Sequence, residues 1–330
     1  MLFRSPLAIR MHKVCIFFCV AGLCFGHAHA QPDSPSSAER AAVLIEGLRV
    51  SIASGLIEDS RDRLRTLEQM GEPGVTALRH VVQEGDAPLR ARLVRALVGW
   101  GGATSTSMLL EIALADTNRT VRGPALSALA NRPVTFPLTE AEVRGLQELV
   151  TDGPVAHAGP AAGVLARCEL VPLESRSKPV IDRLESEAAQ NTKQTGRYHG
   201  SSVSKRVFDL NQFLIAFDSM RDASVTKALH ERPNRHQEGS PSRKWLLMAL
   251  GMAGDPSVAD PLRSLVLAEK DLSTKAVALR AFARSAREDA VSLLLTFEND
   301  DTPGGRDSFG PLYPLQMVAR GELARLREPN

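Results

Sequence analysis

The chain has 330 residues, 43% of them hydrophobic and only 5% aromatic, and its 40 Lys and Arg against 38 Asp and Glu give a formal charge of +2. Apolar residues recur at i, i+3 and i+4 through most of the chain and β-branched residues rarely alternate, which excludes a strand-based fold and implies an all-α protein. A core of Leu, Ala and Val with few rings suits thin stacked helices.

Residues 1–30 read as a secretory signal peptide. Arg4, Arg10 and Lys13 precede the uncharged run Val14–Phe25, and Ala28-His29-Ala30 places small residues before Gln31, so cleavage is expected after Ala30. Met11–Ala30 alone would also make a complete signal. The run falls short of the roughly twenty apolar residues that span a bilayer, so no membrane span is expected after cleavage and the location is periplasmic or secreted. Cys15, Cys19 and Cys24 lie inside this segment, which leaves Cys168 alone in the mature chain and forbids an internal disulfide there.

After a short Pro- and Ser-containing lead, helices are expected over Ser37–Ala53 and Ser60–Met70, each closed by a Gly. Pro73–Glu84 with Ala87–Val98, and Ser105–Ala115 with Arg119–Ala130, then form two helix pairs that are one motif written twice. At a shift of 32 residues Leu89, Arg90, Leu93, Val94 and Leu97 fall on Val121, Arg122, Ala125, Leu126 and Leu129, and Ala77-Leu78 fall on Leu109-Leu110. A self-similar period of this length signals a solenoid whose unit is a helix pair. A polar turn residue precedes the second helix, with a cation four residues on: Asp86 and Arg90, Asn118 and Arg122, and downstream Asp271 and Lys275.

These residues, with Gly71–Leu78 and Ala249–Asp255, resemble the short bacterial HEAT repeat, the version also found in phycobilin lyases. The resemblance implies an α-solenoid of stacked antiparallel helix pairs. It also implies that Asp86, Arg90, Asn118, Arg122, Asp271 and Lys275 form a structural ladder between units. It is nearly silent on activity.

The array continues. Thr139-Glu140-Ala141-Glu142 is a capping box, so Glu140–Val150 is expected to pair with Ala156–Cys168, on whose apolar face Cys168 is a small buried hydrophobe. Ser177, with Pro179 at the first helical position, opens Pro179–Ala189. The stretch 191–204 is polar and without acids, and together with Val207–Met220, Ser224–His230 and the polar segment 231–240 it makes an irregular middle, 191–240, between an N-terminal array, 31–190, and returning repeats, 241–330. The returning part comprises Arg243–Ala253, Pro256–Ala268, Ser273–Ser285, Glu288–Phe297, a loop over Asn299–Gly310 and the terminal cap Leu315–Arg327.

No chemistry-bearing motif emerges. His230-Glu231 is followed by a His only at His236, with Pro233 between, which excludes a His-Glu-x-x-His metal site on one helical face. No cofactor is implied. Once Arg4, Arg10 and Lys13 are removed, 37 basic residues face 38 acidic ones, yet the second helices carry 14 basic residues against only Asp62 and Glu68. Second helices line the concave side of such arrays, and a wall of one sign attracts a partner of the other. The expected function is a non-catalytic binding scaffold, with Arg92, Arg95, Arg280 and Arg284 contacting an acidic protein or an anionic envelope polymer. Nucleic acid is disfavoured by export. The alternative is an enzyme or ligand sensor with its site in the irregular middle, built from Arg197, Tyr198, His199 and His230.

Overall fold

Polar N-caps and helix-stopping turns cut the chain into short amphipathic helices, none of which can bury its apolar face alone. The computed structural model describes residues 35–100, 102–132, 137–169, 171–190, 205–303, 305–307, 310–312 and 314–328. The expected signal at 1–30, the stretch 191–204 and the trio Arg197, Tyr198 and His199 lie outside these residues.

In chain order the helices are α1 (Ser37–Ala53), α2 (Ile57–Gln69), α3 (Glu72–Glu84), α4 (Ala87–Trp100), α5 (Gly102–Ala115), α6 (Arg119–Ala130), α7 (Glu140–Thr151) and α8 (Val155–Ala166). They continue as α9 (Leu173–Gln190), α10 (Lys205–Ser219), α11 (Ala223–His230), α12 (Pro241–Met252), α13 (Ala259–Ala268), α14 (Leu272–Ala286), α15 (Val291–Phe297) and α16 (Pro314–Arg327). Each odd-numbered helix packs on the even one that follows it, and every even helix packs on the next, from α2 to α16. The protein is an α-solenoid. Its even helices form an unbroken layer through residues 205–252, so α9 to α12 continue the stack on the same plan. Odd helices pack substantially on one another in succession as far as α11 among the described residues, and less closely than successive even helices do, so the even layer is the more closely packed of the two.

Four local features differ from the sequence expectations. Helix α9 begins at Leu173, so Pro179 lies inside it; packing of Val171 and Leu173 against the core carries the helix back past the proline. Helix α8 ends at Ala166, with Cys168 buried just beyond it. Pro256–Val258 and Arg287–Ala290 are single 3-10 turns before α13 and α15. The stretch expected as a loop after α15 contains a small antiparallel hairpin, β1 (Gly305–Asp307) with β2 (Gly310–Leu312), in which Arg306 faces Pro311.

Helix α8 shows how tight the even layer is. Every residue from His157 to Ala166 is buried. A Cβ at Gly159 would meet the Gln212 Cβ of α10 at 2.5 Å, and one at Gly163 would meet the Ala130 Cβ of α6 at 3.1 Å. Small residues here let three helix backbones approach closely.

Candidate functional site: the face of the even helices

What the arginines of the even helices can do depends on which of them the fold already uses. The turn residues Asp86, Asn118 and Asp271 are N-caps: their side chains accept from the backbone N–H of Leu89 (2.8 Å), Thr120 (2.9 Å) and Thr274 (2.7 Å). After the first of these caps, the cation four residues later reaches across to the next unit. Arg90 holds Asp116 bidentately, at 2.6 and 3.0 Å, and Asp116 accepts from the backbone N–H of Asn118 at 2.8 Å. The same rung recurs downstream, where Lys244, four residues after the N-cap Ser240, donates to Glu269 at 2.6 Å and Glu269 accepts from the N–H of Asp271 at 3.0 Å. A rung thus needs a cation four residues after one cap and a carboxylate two residues before the next. Burial raises the pKa of both carboxylates. The cation and the backbone donors together outweigh it and leave Asp116 and Glu269 below the ordinary carboxylate range.

Arg122 and Lys275 do not complete such a rung. The Arg122 Nε is buried with no hydrogen-bond partner among the described residues, and the carboxylate in the matching place, Asp152, accepts locally from Thr151 at 3.0 Å. Lys275 has no ion pair among the described residues, and the residues before α16, Gly310-Pro311-Leu312-Tyr313, contain no carboxylate. Lys244, Asp116 and Glu269 were missed in the sequence. The spacing of cation and carboxylate around successive caps would have found them.

At the other end of the even helices, arginines close the carbonyl groups of the preceding unit. Arg132 donates to the Leu97 carbonyl at 3.2 Å and to the Ser105 hydroxyl at 2.8 Å, and Arg167 donates to the Arg132 carbonyl. Burial lowers the pKa of both guanidinium groups. Arg167, Lys244 and Arg90 are therefore structural members of the basic set.

The four arginines expected to meet a partner divide by position. On α4, Arg92 and Arg95 are both exposed; Arg92 donates to the Ala53 carbonyl at 3.1 Å, and Arg95 has no polar partner among the described residues. On α14, Arg284 is only 17% exposed and joins Asp218 of α10 at 3.1 Å to Glu322 of α16 at 3.0 Å. Burial is the main influence on its guanidinium and lowers its pKa against the pull of Glu322 and Asp218. The expectation that Arg284 contacts a partner is corrected by this enclosure: its side chain is a brace between three even helices. Arg280 is intermediate. Its Nε lies 3.9 Å from Glu322, whereas Arg325 approaches the same carboxylate to 2.7 Å. With Arg221 on Asp218, four guanidinium groups share two carboxylates. Arg280 is the loosest held.

Beside Arg280 a groove of about 320 Å³ opens between α10, α14 and α16. Its walls are Val207, Phe208, Ala276, Val277, Pro314, Met317 and Val318, with Asn211, Ser273 and Arg280 as the polar members. Phe208 and Met317, at 55% and 62% exposed, stand together on its rim as a small apolar patch. The Ser273 Oγ and Asn211 Oδ1 are shielded from water and lack a hydrogen-bond partner among the described residues. Such an orphaned group costs about 1–3 kcal/mol.

The middle of the chain holds polar contacts of a different kind. His230 contacts Asp255, while Arg232 donates to Glu185 and Asp182 at 2.6 and 2.7 Å and the His236 Nε2 lies 2.6 Å from Glu185. The Arg232 and His236 contacts tie the turn after α11 to α9, the His230 contact ties the end of α11 to the turn after α12, and the two histidines sit on different carboxylates. Among the described residues no three His, Cys, Asp or Glu converge as a metal site would require.

No family model matches the chain, and no curated protein matches it. Among solved structures it is similar to human deoxyhypusine hydroxylase in complex with glycerol, at 15% sequence identity, covering 88% of this chain and 96% of that one, with a TM-score of 0.29. A likeness that weak carries no argument about activity.

Proposed function

We propose that the protein is an exported, non-catalytic scaffold that holds an acidic protein or an anionic envelope component against the face of its even helices. The observation that carries this reading is the pair Arg92 and Arg95, exposed on α4 with no carboxylate bound to either among the described residues. Exposed guanidinium groups left unneutralised attract carboxylate or phosphate and hold it bidentately. Closer packing of the even layer than of the odd one bends a stack toward the even side. A concave wall carrying charge of one sign focuses its field on a partner. Export is supported by the charged start, short apolar run and Ala-His-Ala ending of residues 1–30.

The test uses the protein secreted by its own cells. Its N-terminus should be Gln31, and it should elute from a polyglutamate column at a salt concentration that falls when Arg92 and Arg95 are both changed to Glu. The same charge change at Arg263 and Lys270, exposed on and beyond α13, should shift elution much less. Equal shifts for the two double variants, with helicity unchanged, would defeat the proposal.

A further inference from the structure

We propose that the groove between α10, α14 and α16 binds the carboxy-terminal residue of a peptide whose last side chain is apolar. This goes beyond the scaffold reading and does not depend on it, because the groove and the α4 arginines share no residue.

Three features of the groove, each answering one part of a peptide terminus, support this. The walls are apolar and expose Phe208 and Met317 around about 320 Å³, which suits one aliphatic or aromatic side chain with the backbone that carries it. Arg280 stands at the polar end. Its only anionic neighbour among the described residues, Glu322, is 3.9 Å away and already bound by Arg284 and Arg325, so a terminal carboxylate would meet a guanidinium whose charge is in surplus. Ser273, 7% exposed, and Asn211 present oxygens without a partner among the described residues, and acceptors in that state call for an N–H donor. A carboxylate, an amide N–H and an apolar side chain within one small volume describe a peptide C-terminus. An acyl chain has the first and the last but lacks the donor.

The direct experiment is fluorescence anisotropy on the full exported chain with fluorescein-labelled Gly-Ser-Gly-Ala-X peptides, X being Leu, Phe or Met. At least one peptide with a free terminal carboxylate should bind, and its carboxamide counterpart should bind about tenfold or more weaker. Arg280→Gln, which keeps most of the side-chain stem, should reduce affinity for the free acid about tenfold and abolish the difference between acid and amide. Ser273→Ala should weaken binding by about two- to tenfold. The double change of Arg92 and Arg95 to Glu should leave peptide affinity within about twofold, because screening isolates charges more than roughly a Debye length apart; failure of the scaffold reading and failure of this one are thereby told apart. Equal binding of acid and amide, unchanged affinity in a folded Arg280→Gln protein, competition by decanoate as strong as by the peptide, or no binding by any of the three peptides would each overturn the inference.

Discussion

Arg95 and Arg280 stand at the same place in their repeats, nine residues after the N-caps Asp86 and Asp271, and meet opposite surroundings. On α4 the side chain points into solvent, and its neighbour one turn earlier is the exposed Arg92. On α14 the residue in the place of Arg92 is Val277, Arg280 is 34% exposed beside Glu322, and one turn further on Arg284 is enclosed. Every residue of α12 and α14 is at least half-buried, because α10 touches α14 as well as α12. The repeat therefore fixes where a cation sits but not what it does. That is decided by whether a later helix brings a carboxylate to meet it, as α16 brings Glu322. The N-terminal half is left with charge and the C-terminal half with an apolar groove.

The rungs allow the contrast to be graded. Arg90→Ala should have the largest effect, about 3 kcal/mol lost in urea unfolding, since it strands the buried Asp116. Its pH dependence carries a sign. With Arg90 present Asp116 titrates below its unfolded value, so its contribution is in place above about pH 4 and is lost as the pH falls further. Without Arg90 the strongest lowering influence is gone and the Asp116 pKa rises, although the Asn118 N–H and Arg122 still hold it down, so the acid loss at that site should shrink. Lys244→Ala should cost about 1–2 kcal/mol, because Glu269 keeps the backbone N–H groups of Lys270 and Asp271. Arg122→Ala, with no rung to break, should stay within about 0.5 kcal/mol in the same measurement. A cost for Arg122 as large as that for Arg90 would mean that the two units are equivalent after all.

The helices were legible in the sequence because their signals are local: the capping box at Thr139, the caps Asp86, Asn118 and Asp271, and the spacing of Leu and Ala act within a turn or two. The site was less so. Asp116 and Glu269 are distant from their cations along the chain and resemble ordinary loop acids, so pairing each cation with its own cap looked sufficient. The fate of Arg284 depends on Glu322 and Asp218, which come from helices outside the clearest repeats, and no period in the sequence sets their register. The charge on each helix marks the basic set, but side chains that brace the stack and those free to meet a partner carry the same charge at the same spacing. The groove has no motif, since its walls come from three helices and its polar members are unremarkable singly.

The most direct test of that separation is arginine-selective modification of the native protein with phenylglyoxal, followed by peptide mapping against time. Of these four, Arg95 and Arg92 should react early, whereas Arg90 and Arg284 should stay protected until the chain is unfolded. Modification of Arg284 at the rate of Arg95 in the folded protein would contradict the account, because it would put the cations of both halves in the same state.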